Sequence, residues 1–160
     1  MKIEIKRADY LDAQQAQDLI TILDAYARDP MGGGEPLGEA SRANLVAKLA
    51  ELPQAFSVLC YVDNKPAGLV NCFVGFSTFK CKPVVNIHDV VVESEFRGLG
   101  LSQQMMEAVA QIARELGACK LTLEVLEGNE VAKNAYLKQG FKGYELDPKM
   151  GQALFWEKPL

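Results

Sequence analysis

The sequence predicts a mixed α/β fold, and two observations support that prediction. Short apolar segments with the composition of β-strands alternate with segments whose apolar residues recur at helical spacing. One strand that ends in three consecutive valines, residues 84–92, leads through a glycine-bearing turn into a helix and then into another strand. Because a helical crossover makes the strands that it joins parallel, we expect a mixed sheet that contains one parallel pair.

The first third of the chain reads as a strand and two helices. Residues 2–7 alternate like a strand, and Asp12 with Gln15 forms a capping box that starts a helix. Residues 29–38 are rich in glycine and proline and predict a loop, and residues 41–52 predict a second helix. The buried face of the first helix is expected at Ala16, Leu19, Ile20, Leu23 and Tyr26.

The middle of the chain predicts two antiparallel strands, residues 55–62 and 66–77, around a turn at Asp63 and Asn64. Residues 84–92 follow as the central strand. The next helix begins near Leu101 and ends at Gly117. Its buried face is expected at Leu101, Met105, Val109, Ile112 and Leu116.

The last third predicts a strand at residues 120–126, parallel to the central strand, and then a helix capped by Asn129 and ended by Gly140. The tail, residues 142–158, predicts two more strands with Pro148 and Gly151 in the turn between them.

Length and composition set the class of protein. The chain has 160 residues, of which 49% are hydrophobic, so we expect one domain over residues 1–160. No apolar run approaches the roughly 20 residues of a membrane span, and the N-terminus alternates like a strand, so we expect a cytoplasmic protein without a membrane partner. The net charge is −4, without a basic stripe, which argues against a nucleic-acid partner.

The cysteines and the single histidine, His88, do not predict a metal site. No CxxC pair occurs among the four cysteines. All four lie in apolar surroundings, which predicts buried free thiols in a reducing compartment. They are Cys60, Cys72, Cys81 and Cys119.

The junction at residues 90–103 predicts an anion site. Gly98 and Gly100 allow a tight turn, and the free N–H groups of the first helical turn point at a ligand together with the positive end of the helix dipole. The pattern lacks the Lys of a P-loop and has Gln103 where a dinucleotide fingerprint has its third glycine. A phosphate-bearing ligand bound in another way is therefore expected.

Two motifs resemble those of the GNAT superfamily of acetyl-CoA-dependent N-acetyltransferases. The first, the phosphate-loop motif, is filled by Arg97, Gly98, Leu99, Gly100, Leu101 and Ser102, with Ser102 departing from the usual glycine or alanine. The second is filled by Asn129, Ala132, Tyr136, Gly140 and Phe141. Residues 76–83 and 86–90 are similar to the polyamine and diamine acetyltransferase branch.

The resemblance implies a mostly antiparallel mixed sheet flanked by helices, in which the two parallel strands splay apart and admit the pantetheine arm of acetyl-CoA. It implies no metal. The implied cofactor-binding residues are Val90, Val91, Val92, Arg97, Gly98, Leu99, Gly100, Leu101, Ser102, Gln103, Asn129 and Tyr136.

Acyl transfer to an amine needs a base, an oxyanion donor and an acid. His88 is the first candidate for the base, because strict alternation places it on the same side as Val90, and the alternative is a hydrogen-bonded core histidine. Glu124 competes for this role, with a salt-bridged strand residue as the alternative. The backbone N–H of Val90 is the candidate oxyanion donor, and Tyr136 is the candidate acid. Asp89 points to the opposite side from His88 and is expected to be structural.

The expected reaction is direct transfer of an acetyl group from acetyl-CoA to a primary amine of a small molecule, a polyamine or amino compound. In the family, the loop between the first two helices borders the acceptor, which makes Asp29, Met31 and Glu35 candidate substrate contacts. Two alternatives stay open, a non-catalytic acyl-CoA sensor and an acetyltransferase for protein N-termini or lysines. A homodimer is expected from the family.

Overall fold

The computed structural model describes all 160 residues, Met1 to Leu160, and its centre is a five-stranded mixed sheet in the order β1-β2-β3-β4-β5. The strands β1 to β4 pair antiparallel, whereas β4 and β5 are parallel. This arrangement confirms the predicted fold class. The strands are β1 (Ile3–Arg7), β2 (Ala55–Val62), β3 (Lys65–Ser77), β4 (Lys82–Val92) and β5 (Leu121–Leu123).

Three helices flank the sheet and a fourth follows it: α1 (Ala13–Arg28), α2 (Glu39–Glu51), α3 (Leu101–Glu115) and α4 (Glu130–Lys138). Asp12 caps α1 as predicted, since its Oδ1 accepts the N–H of Gln15 at 2.9 Å. The tight turn between β2 and β3 is formed by Asp63 and Asn64, both with positive φ. Single turns of 3₁₀-helix occur at Pro30–Gly32, Ser94–Phe96 and Pro148–Met150.

Alternation along β3 places helices on both faces of the sheet. A Cβ built at Gly68 would lie 2.7 Å from the Met105 Cε of α3, so glycine allows that close approach. The neighbouring Leu69 faces the other way and belongs to the core beneath α1 and α2. The buried residues of that core are Leu19, Ile22, Val46, Leu59, Leu69 and Val91.

The chain divides into two compact units, Met1–Leu126 and Glu127–Leu160. All five strands and α1 to α3 lie in the first unit. In the second unit, Asn129 caps α4 through a 3.2 Å bond from the Ala132 N–H, and Gly140 ends the helix with φ of 95°. None of the helices in either unit is both long and apolar enough to cross a membrane.

Four predictions about these elements are wrong. Leu116, expected on the buried face of α3, is 43% exposed. The strand predicted at residues 120–126 is only three residues long. The two strands predicted for the tail are reduced to one bridge, between Glu145 and Gln152, because a hairpin needs a further strand or an apolar face to pack on and the second unit contains no other strand. Cys60 and Cys72 are buried as predicted, but Cys81 and Cys119 are exposed because they lie in the turns that precede β4 and β5.

Candidate active site

The sheet opens in the middle of β4. β5 pairs with β4 only at Val85, Asn86 and Ile87, whereas β4 continues to Val92. Beyond Ile87, β4 therefore has a hydrogen-bonded neighbour on one side only, and the other edge of the strand is unpaired. Such an edge presents backbone N–H and C=O groups that can pair with an amide-bearing ligand.

A β-bulge marks the point where the pairing ends. In the register between β3 and β4, Asn71 lies opposite Asp89 and Cys72 lies opposite Ile87, so His88 is the extra residue. A bulge interrupts the alternation of side chains and re-aims those at the bulge. The sequence gives no sign of it, because residues 84–92 read as an uninterrupted strand.

The bulge also decides which backbone groups face the unpaired edge. The N–H of Glu93 donates to the C=O of Ala67 on β3 at 2.9 Å. Because bonded and non-bonded pairs alternate in an antiparallel ladder, Val91 and Asp89 also bond to β3. The N–H and C=O groups of Val90 and Val92 accordingly point away from β3, towards the unpaired edge.

The turn after β4 has the geometry of an anion site. Gly98 and Gly100 have φ of 82° and 71°, the left-handed region that glycine adopts at least cost. Gly100 is the N-cap of α3, and no side chain caps this helix end. The N–H groups of the first helical turn are therefore open to a ligand. Ser102 and Gln103 lie in that turn, while the side chain of Leu101 is buried in the core.

The charges beside this turn are mixed. Burial raises the pKa of Glu93, the neighbouring Glu95 carboxylate raises it further, and Arg97 lowers it. The Oε1 atom of Glu93 is buried and has no hydrogen-bond partner. An anionic ligand here would be held by backbone N–H groups and the exposed Arg97, which must offset the two carboxylates.

His88 is exposed, so the core-histidine alternative is wrong. Its ring packs edge-on against Phe73, with ring centroids 5.4 Å apart. Phe73 lies two residues after Asn71 on β3, so it shares a face with Asn71, whose side chain bonds Asp89. His88 is therefore on the same face as Asp89. The expectation that it shares a side with Val90 is wrong because the bulge breaks the alternation on which it depended.

The structure places the remaining sequence-predicted residues as follows. Glu124 is exposed and lies one residue beyond the end of β5. In the second unit, the Asn129 side chain caps α4, and the half-buried Tyr136 packs against the ring of Phe141 with centroids 5.9 Å apart.

The loop between α1 and α2 is tightly turned. The Asp29 carboxylate accepts the N–H of Met31 at 2.9 Å, and its backbone C=O accepts the N–H groups of Gly32 and Gly34. Met31 and Glu35 are exposed. The neighbouring Tyr26 has a raised pKa, first because of burial and then because of the carboxylates of Asp89 and Asp29. The loop therefore lies within electrostatic reach of the face that carries Asp89.

A row of polar side chains, which the sequence analysis missed, crosses this face of the sheet. The Tyr10 hydroxyl bonds the Ser57 Oγ at 2.7 Å, Ser57 donates to Asn71 Oδ1 at 2.6 Å, and Asn71 Nδ2 donates to Asp89 Oδ2 at 3.0 Å. Ser57 and Asn71 are single polar residues within two apolar strands, and that was the available signal. We refer to these four residues as the polar row.

Comparison with known proteins gives a consistent result. Residues 19–141 match the family model described as the acetyltransferase (GNAT) family. Thialysine N-epsilon-acetyltransferase of Bos taurus is 31% identical over 68 residues, which cover 42% of this chain and 39% of the relative. Glucosamine 6-phosphate N-acetyltransferase of Trypanosoma brucei brucei is 27% identical over 118 residues, 69% of this chain and 74% of the relative. Several other curated relatives are also matched over about two fifths of their length.

Solved structures agree on the fold. An aminoglycoside acetyltransferase from an uncultured soil metagenomic sample, crystallised with trehalose, superposes with a TM-score of 0.79 at 18% identity. The superposition covers 99% of this chain and 96% of that chain. Likeness at this level of identity shows a shared fold, and acceptor preference has to be argued from the site itself.

Proposed function

We propose, from the premise that this chain belongs to the acetyltransferase (GNAT) family, that it transfers an acetyl group from acetyl-CoA to a primary amine of a small molecule. One observation carries the proposal: β4 loses its β5 partner after Ile87, and its unpaired edge leads directly into an uncapped helix start. An elongated ligand with amides at one end and phosphates at the other fits this arrangement.

Acetyl-CoA is such a ligand. Its pantetheine amides would pair with the backbone of Val90 and Val92 along the unpaired edge formed by residues 90–92. Its pyrophosphate would lie on the N–H groups of the turn and first helical residues, 97–103, with the Arg97 guanidinium as a further partner. Asn129 and Tyr136 remain candidate contacts in the second unit. The cosubstrate supplies a thioester, and the chain binds and orients it.

The chain's own groups can meet the needs of direct transfer. His88 would accept the proton of the attacking amine, and Glu124 is the competing base. The N–H of Val90, which points towards the unpaired edge, would stabilise the oxyanion without reorganisation. Tyr136 would give a proton to the departing CoA thiolate. His88 is favoured over Glu124 because it lies at the bulge, two residues before the N–H groups that would bind the thioester.

The acceptor is proposed to be a small amino compound, a polyamine-like molecule. Two features support this class: the carboxylates of Asp89 and of Asp29, in the loop that also holds Met31 and Glu35, both raise the pKa of Tyr26, and the relatives named above include acetyltransferases of thialysine and of an amino sugar phosphate. Both named acceptors are small molecules with an amino group.

Cosubstrate binding is tested first. Saturating acetyl-CoA should raise the melting temperature, and Gly100→Asp should abolish that rise because it places bulk and negative charge against the phosphates. Gly117→Asp is the matched control, since Gly117 ends α3, has φ of 75° and likewise has no atom within 4 Å of a built Cβ. The control should lose similar intrinsic stability and keep the shift. Equal shifts in both variants would refute the phosphate-turn assignment.

Turnover is tested with the same protein. CoA release from acetyl-CoA should be stimulated by members of a panel of primary amines, amino sugars and diamines. Stimulation by peptides with free N-termini alone would identify a protein acetyltransferase. Binding of acetyl-CoA without stimulated release by any acceptor would favour the sensor.

A further inference from the structure

Burying the polar row costs free energy, because polar side chains are removed from water. Ser57 and Asn71 are 0% and 5% exposed, and their neighbours along the strands are buried apolar residues, Phe56, Val58, Val70 and Cys72. A buried polar group is tolerated only when its hydrogen bonds are made, and an apolar pair of similar volume would hold the two strands equally well. The row is therefore better explained by what it positions than by stability.

The hydrogen bonds of the row have one consistent direction. Ser57 donates its hydroxyl proton to the Asn71 carbonyl oxygen, so the Ser57 oxygen accepts from the Tyr10 hydroxyl. With its oxygen engaged, the Asn71 amide presents its NH₂ group to Asp89. A reversed amide would place oxygen against the carboxylate, so the row fixes the orientation of Asn71. The row ends at a carboxylate with a defined position.

Asp89 lacks a cationic partner in the protein. Five ion pairs form in the structure, and none of them includes Asp89. Its Oδ2 receives the Asn71 bond, which leaves Oδ1 for a ligand. The residue is half-buried, follows the bulge directly and shares a face with His88. A half-buried carboxylate attracts a cation more strongly than a solvated one.

We propose that Asp89 binds a cationic amino group of the acceptor, and that Asn71, Ser57 and Tyr10 are positioning residues for its carboxylate. The proposal rests on the function proposed above and narrows the acceptor class. A carboxylate stabilises the ammonium form of an amine, whereas the attacking amine must be neutral. The amino group on Asp89 is therefore a second one, and the acceptor carries at least two amino groups.

The test compares two acceptors of equal length, 1,4-diaminobutane and butylamine. Asp89→Asn keeps the size and an oxygen for the Asn71 bond but removes the charge. The KM for 1,4-diaminobutane should rise about 10- to 100-fold, the worth of a hydrogen bond to a charged group, with a much smaller change in kcat. The KM for butylamine should change less than about 2-fold, and Asp89→Glu should recover part of the preference for the diamine.

Asn71→Leu tests the positioning residues. This variant keeps the volume and removes the bond to Asp89, and it should weaken the diamine preference in the same direction by about 3- to 10-fold. Asp18→Asn is the matched control, because Asp18 is a buried carboxylate on α1 that bonds Tyr61 and Gln14. It should lower the melting temperature and leave the ratio of the two KM values unchanged. A ratio that is unchanged in Asp89→Asn would overturn the proposal.

A binding measurement distinguishes failure of the proposed function from failure of the Asp89 proposal. If the parent acetylates no amine, the Asp89 proposal is judged by calorimetric titration of 1,4-diaminobutane into the CoA-saturated protein. Binding that Asp89→Asn loses would support the proposal even without turnover. Absence of binding to the parent, or equal binding to both proteins, would overturn it.

Discussion

The two halves of β4 have similar side chains and different surroundings. In the first half, residues 82–87, the last three residues pair with both β3 and β5, while residues 88–92 have β3 on one side and no strand on the other. Both halves carry consecutive valines, Val84 and Val85 in the first and three more in the second. Because both halves contain consecutive valines, residue type does not explain the site. The site arises because the backbone of the second half has no neighbouring strand on one side.

Burial follows this division for some of the side chains. Val85 and Ile87 in the paired half are 0% and 3% exposed, whereas Val90 and Val92 in the unpaired half are only partly buried; Val84 and Val91 are the exceptions, since Val84 is partly buried and Val91 is 6% exposed. The bulge at His88 separates the halves and turns the backbone groups of Val90 and Val92 towards the unpaired edge. If this division is correct, substitutions in the first half should change stability and those in the second should change function.

The largest expected effect is on function, from His88→Ala in the unpaired half. If His88 accepts the amine proton, kcat/KM should fall by about 10²- to 10⁴-fold and its dependence on pH should flatten. Because the side chain is exposed, the free energy of unfolding should change by less than about 0.5 kcal/mol. Steady-state kinetics across pH and urea denaturation measure the two effects.

Glu124→Gln is the comparison for this experiment. If His88 is the base, this variant should act mainly through KM. If Glu124→Gln severely lowers kcat while His88→Ala has almost no effect on kcat, Glu124 is the base. The second half of β4 then does not supply the base.

The next effect is on stability, from Val85→Ala in the paired half. Removing two methyl groups from a fully buried side chain should lower the free energy of unfolding by about 2 kcal/mol, through lost transfer energy and an unfilled cavity. The kcat/KM of the folded variant should be unchanged. Val92→Ala is the same substitution in the unpaired half and should cost less than about half as much. Equal losses would show that the two halves are packed alike.

The sequence predicted the elements whose signals are local. The capping residue Asp12, the turn at Asp63 and Asn64, and the tight turn at Gly98 and Gly100 follow from side-chain and backbone preferences of a few neighbouring residues, and the structure contains all three. The parallel pairing of β4 with β5 was predictable because a helical crossover constrains it.

The sequence did not predict features that depend on a partner elsewhere in the chain. The bulge at His88 exists only relative to β3, and β5 pairs with β4 only as far as Leu123, although the sequence predicts a strand to Leu126. Strict alternation predicts that Asp89 points away from His88 and is structural, but the bulge places both residues on one face. Its bond to Asn71, 18 residues away along the chain, became visible only in the folded sheet.

A smaller effect on kcat is expected from Tyr136→Phe. This substitution tests whether the reaction needs a side chain outside β4. The change removes the hydroxyl and keeps the ring that packs against Phe141. If Tyr136 protonates the leaving thiolate, kcat should fall by roughly 10-fold, while the affinity for acetyl-CoA changes by less than about 1 kcal/mol. Steady-state kinetics measure kcat, and calorimetric titration measures the affinity for acetyl-CoA. An unchanged kcat would make Tyr136 a packing residue.

The last prediction concerns the boundary between the two halves, where Cys72 lies opposite Ile87. Burial, and then the Asp89 carboxylate, raise the Cys72 pKa from 9.0 to about 12. Because the folded state holds this proton more tightly, the stabilisation is complete below the unfolded pKa and is lost as pH rises from 9 towards 12, by up to ~1.4 kcal/mol per pH unit. Urea denaturation above about pH 9 should show this slope, and Cys72→Ala should reduce it. The exposed Cys81 is the control, and Cys81→Ala should keep the full slope. Equal slopes in all three proteins would mean that the boundary of the paired half is open to solvent.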